Sequence, residues 1–146
     1  MEVFSISPAS SKPLWFLAMI TLLLSLVLAA LFYTGYSSLN SRVELKSDRL
    51  QLVGDFWGRT IPLESLKVSE AQILDLNRRS EYSLKRRTLG TGLPGYSSGW
   101  FRLHNGDKAL VYLTRNERIV YLPTSLGYAL LLSVEKPEQF INALQR

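Results

Sequence analysis

Between Leu14 and Tyr33 the chain reads LWFLAMITLLLSLVLAALFY, twenty residues without a charge. No other feature restricts the possible folds as strongly. At 1.5 Å per residue the run makes about 30 Å of helix, enough to cross the hydrocarbon core of a bilayer. Trp15 stands at one end and Tyr33 and Tyr36 at the other, where amphipathic rings favour the headgroup level. A cleaved signal peptide fits less well. Its charged leader would be Lys12 against Glu2, and the apolar run is longer than usual for that role. Thr21 and Ser25 can bond their own helix backbone, so neither requires an intramembrane partner. Arg42, Lys46 and Arg49 follow the run, whereas only Lys12 and the amino terminus precede it. The excess places the C-terminal side in the cytoplasm.

The reading divides the chain into a disordered N-terminus (1–12), a transmembrane helix (13–36), a linker (37–41) and one domain (42–146). That domain carries β patterning. RVELKSDRLQLVG alternates about Ser47-Asp48 as a hairpin does, and Phe56 to Leu63 continues as a strand. In WFRLHNGDKALVYLT, Asn105-Gly106 supplies a tight turn between two apolar runs. RIVYLPT and GYALLLS add two more strands, for about seven in all. Residues 66–79 read as a strand entering a polar loop. Pro137 and Glu138 open a final amphipathic helix with Phe140, Ile141 and Leu144 on one face.

The stretch GTGLPG, Gly90 to Gly95, has the spacing of a dinucleotide-binding loop but not its surroundings. Lys85-Arg86-Arg87-Thr88 replaces the apolar strand that should precede it, and no helix follows to meet a pyrophosphate. Pro94 has no amide hydrogen to donate, and Tyr96-Ser97 stands where a Walker loop needs lysine and serine or threonine. Gly90, Gly92, Pro94, Gly95 and Gly99 are therefore expected to shape a stiffened surface connection.

The run from Arg87 to Phe101, R-x-x-G-x-G-x-P-G-x-x-x-G-x-F, followed by the Asn105-Gly106 hairpin, resembles bacterial pleckstrin-homology-like domains. So does TSLGYALLLSVEKPEQFINAL at the end of the chain. The resemblance covers roughly residues 40–146. It implies a mainly β fold: a seven-stranded bent sandwich or partly open barrel, closed by one C-terminal helix. It further implies a non-enzymatic module, often carried beside transmembrane segments, that can form homo-oligomers.

Candidate contact residues come from charge. Arg78, Arg79, Lys85, Arg86 and Arg87 place five cations within ten residues, opposed only by Glu81, in a chain of net charge +5. Such a cluster suits anionic lipid or an acidic partner protein. Nucleic acid is not expected, because no recognised module and no interleaved aromatics accompany the charges. With no cysteine and one histidine, His104, the chain lacks thiolate or His-rich metal sites, and no cofactor or small-molecule substrate is expected. Trp57, Trp100, Tyr112, Tyr121 and Tyr128 read as core or cross-strand aromatics. The expectation is a single-pass protein of the bacterial inner membrane whose domain binds or scaffolds. The alternatives are an accessory subunit of a membrane complex, or a small hydrolase using His104 near Asp107.

Overall fold

The central strands of the domain are apolar on both faces: KALVYL, IVYLP and ALLL leave almost no polar side to turn towards water. Strands of that kind need cover above and below. A computed structural model, which describes all of residues 1–146, shows how each face obtains it. The chain divides into two units, Met1–Gly35 and Tyr36–Arg146.

Helix α1 spans Lys12–Asn40 and is long and apolar enough to cross a membrane, with mean hydropathy 2.6 over its most apolar window. None of that window is buried. Thr21 Oγ1 donates to Leu17 O at 2.9 Å and Ser25 Oγ to Thr21 O at 2.8 Å, so both hydroxyls are satisfied within the helix. The helix runs on to Asn40, through the residues expected to form a linker. Small polar residues such as Ser37 and Ser38 do not end a helix, and the first proline after it is Pro62.

The second unit holds nine strands in two sheets and a C-terminal helix. Strands β1 (Arg42–Leu45), β2 (Arg49–Val53) and β3 (Arg59–Pro62) form a three-stranded antiparallel sheet in chain order. Strands β4 (Gln72–Leu74), β5 (Leu84–Leu93), β6 (Tyr96–Leu103), β7 (Lys108–Leu113), β8 (Ile119–Pro123) and β9 (Ala129–Leu132) form a six-stranded sheet ordered β4-β8-β9-β7-β6-β5. The pair β7–β9 is parallel and every other pair is antiparallel.

One face of the large sheet, with Leu110, Tyr112, Val120, Leu122, Leu130 and Leu132, packs with Leu50, Leu52 and Ile61 of the small sheet. Phe140, Ile141 and Leu144 of α2 (Pro137–Leu144) complete that core. The opposite face is covered by Leu74, Leu76, Tyr82 and Leu84, from β4 through the start of β5. The mainly β architecture with a closing helix thus agrees with the sequence reading. Two details differ. Phe56 and Trp57 lie in a turn, and the strand begins only at Arg59. The segment read as a glycine-rich connection is a strand: β5 runs through Gly90 and Gly92 to Leu93, and Pro94-Gly95 alone makes the turn into β6.

The reason lies in the opposing glycines. Gly90 pairs directly with Gly99, where the two backbones approach too closely for a side chain. A methyl on Gly99 would sit 2.5 Å from Gly90 Cα and 2.6 Å from the Leu89 carbonyl. Glycine is normally a weak strand residue, but here it lets two strands meet.

Candidate functional site

The five cations singled out by sequence are not gathered on one surface. Arg78 reaches Asp75 at 3.8 Å. Arg79 lines a shallow depression with Ser80, Glu81, Ser83 and His104. Register shifts in β5 leave Lys85 and Thr88 without direct partners on β6. Arg86 faces Arg102 and Arg87 faces Phe101, so successive side chains leave opposite faces of the sheet. The guanidinium of Arg87 lies over Gly92, in the space a side chain there would fill. The aromatics Trp15, Tyr33 and Tyr36 are all exposed on α1.

Arg86 joins a different set. Strand register puts Arg86 opposite Arg102, and Arg102 opposite Lys108, a row of three cations across β5, β6 and β7. Like charges placed directly opposite each other destabilise a sheet. The next position along the same face is Trp100, paired with Leu89 on one side and Leu110 on the other. Two cations lie against the Trp100 ring: Lys108 Nζ at 4.3 Å and the Arg59 guanidinium at 5.0 Å from its centre. Arg59 is also 6.0 Å from the Tyr128 ring, which meets Trp100 edge-on at 5.0 Å. Arg59, Arg86, Arg102 and Lys108 are all exposed and none forms an ion pair. Sequence reading missed this set because its members are scattered from residue 59 to 108. The pairing partners were the missing information.

A second polar cluster lies inside the domain. Asp55, 7% exposed, accepts hydrogen bonds from Tyr96 Oη (2.9 Å), Tyr112 Oη (3.2 Å), the Trp57 amide (3.2 Å) and, at short range, Ser98 Oγ. Ser41 Oγ lies 3.2 Å from Tyr96 Oη. No basic side chain forms an ion pair with Asp55, so hydroxyl and amide donors carry its solvation. Burial, and then the Asp55 charge, push Tyr112 well above its ordinary value; burial likewise raises Tyr96. Both hydroxyls therefore stay protonated and remain donors. Tyr96 and Tyr112 also line a cavity of about 340 Å³ between β1, the end of β9 and Phe140 of α2.

His104 stands beside the Asn105-Gly106 turn. Its amide donates to Ser83 O, and its ring bonds neither Asp107 nor a serine. Asp107 instead accepts from Asn105 Nδ2 at 3.0 Å, bracing the turn.

A family model described as a bacterial PH domain matches residues 42–146. The chain belongs to the bacterial PH domain family. The match begins at the first residue of β1 and takes in both sheets and α2, so the bacterial PH domain accounts for the whole β architecture. Comparison with curated proteins and with solved structures returns no match. PH domains are in general binding modules and not catalysts, and a bacterial PH domain with exposed, unpaired cations around a tryptophan fits that description.

Proposed function

We propose that this chain is a single-pass membrane protein of the bacterial inner membrane. Its bacterial PH domain, on the cytoplasmic side, is a binding or scaffolding module without chemistry of its own. It contacts anionic lipid or partner proteins, further copies of itself included, through basic residues among which Arg78, Arg79, Lys85, Arg86 and Arg87 are candidates. The observation that carries this reading is α1. Its apolar side chains are uncovered along the window that is long enough to span a bilayer. An uncovered apolar helix of that length is costly in water and stable in lipid. A tether of this kind acts by concentration: it holds the domain near membrane-bound targets, so that weak contacts suffice.

The test is topological. An Asn105→Cys variant carries a single thiol at the exposed β6–β7 turn. In intact cells a membrane-impermeant maleimide is expected to leave it unlabelled, and to label it once the membrane is opened. The protein should stay in the membrane pellet through an alkaline wash. Labelling in intact cells reverses the orientation, and release by the wash overturns the anchor.

A further inference from the structure

Three cations in register, with no carboxylate to relieve them, are an arrangement that stability alone does not favour. Arg102 donates to Gly106 O at 2.9 Å and Lys108 lies on the Trp100 ring, but no carboxylate pairs with any of the three. Function is the usual reason for such a break in a local rule. We propose that the row Arg86, Arg102 and Lys108, backed by Arg59 and Trp100, is a binding site for the phosphate-bearing headgroups of an anionic bilayer.

The site is partly organised in advance. Trp100 holds Lys108 on its ring at 4.3 Å and Arg59 at 5.0 Å, which limits how far either side chain must be ordered on binding. Three of the four cations are arginines, whose planar forks match phosphate oxygens. Neighbouring strands lie about 4.8 Å apart, so the row spans about 10 Å and can engage more than one phosphate.

Two features favour a bilayer over an acidic protein segment. Leu89, the cross-strand partner of Trp100, is 60% exposed beside the cations. Apolar and cationic side chains on one surface suit the headgroup boundary, which is apolar on its inner side and anionic on its outer side. The edge strand β5 carries register shifts between Leu84 and Arg86 and between Arg87 and Leu89, and such irregularities oppose the addition of an extended peptide. Binding at the row thus uses side chains.

This assignment rests on the membrane reading, and the experiment separates the two. The full chain is reconstituted in nanodiscs of zwitterionic phosphatidylcholine, and its partition onto separate vesicles is measured. The vesicles contain phosphatidylglycerol with phosphatidylcholine, or phosphatidylcholine alone. Binding is expected only with phosphatidylglycerol, and Arg86→Gln/Arg102→Gln/Lys108→Gln should weaken it about a hundredfold. The triple Lys67→Gln/Lys136→Gln/Arg146→Gln removes the same charge from exposed positions outside the row and should leave binding within a few-fold of the parent. Removing the like-charge row should also raise the thermal midpoint of the domain, which separates lost contact from lost folding. Equal losses in the two triples would overturn the site, as would a greater loss in the second. Tighter capture by polyglutamate than by phosphatidylglycerol vesicles would overturn the bilayer as its ligand. Failure of the chain to enter nanodiscs would count against the anchor alone.

Discussion

Gly99→Ala is expected to destabilise the domain by about 3 kcal/mol or more, a large effect for one methyl group. Gly99 has φ +106°, outside the region that side chains tolerate, and its missing side chain is where Gly90 and the Leu89 carbonyl approach. The Trp57 ring closes the remaining side at 3.3 Å. Two costs combine, backbone strain and overpacking, and neither can relax without parting β5 from β6. Gly95→Ala separates them. Gly95 also has positive φ, +75°, but nothing surrounds it, so only about 1 kcal/mol is expected there. Urea unfolding followed by tryptophan fluorescence measures both. Equal midpoints for the two variants would show that the close approach of the strands contributes nothing.

Asp55→Ala is expected to cost a similar amount, about 3 kcal/mol, for a different reason. The substitution leaves Tyr96, Ser98 and Tyr112 without their acceptor inside the fold. Each was placed to donate to a carboxylate, and a buried donor without an acceptor costs more than the bond was worth. Asp55→Asn keeps one acceptor oxygen but turns an NH₂ towards hydroxyl donors, and should fall between Ala and the parent. Tyr112→Phe removes one donor and leaves three, so about 1 kcal/mol is expected. The two changes act on the same bond, so Tyr112→Phe should cost less in the Asp55→Ala background. Strict additivity would mean that the hydroxyl and the carboxylate do not interact.

The long apolar helix was legible because it needs only length and the absence of charge. The hairpins about Ser47-Asp48 and Asn105-Gly106 were legible because local turn chemistry announces them. The closing helix announced itself through Pro137, Glu138 and the Phe140-Ile141-Leu144 stripe. What stayed hidden depends on pairing across distance. Gly90 and Gly99 read as parts of a stiffened surface connection until each is placed opposite the other. Asp55 lies 41 residues from Tyr96 and 57 from Tyr112, and no local pattern marks it as their acceptor. Tyr96 and Ser98 do alternate on one face of β6, and Tyr112 lies opposite Ser98 on β7. Two hydroxyls turned inward from a strand were the one hint that a buried acceptor exists. The division of the cation cluster stayed hidden for the same reason: closeness along the chain gathered Arg86 with Arg87, while the sheet sends them to opposite faces.

The central claim, that this is a bilayer-surface binding module, is tested most directly by a photo-crosslinker at Leu89. Ile73 is its control, in β4 at the far edge of the same sheet and likewise exposed. With the full chain in nanodiscs containing phosphatidylglycerol, irradiation should attach lipid at Leu89 and not at Ile73, and high salt should abolish the adduct. Lipid attached equally at both positions, or at neither, would contradict the account.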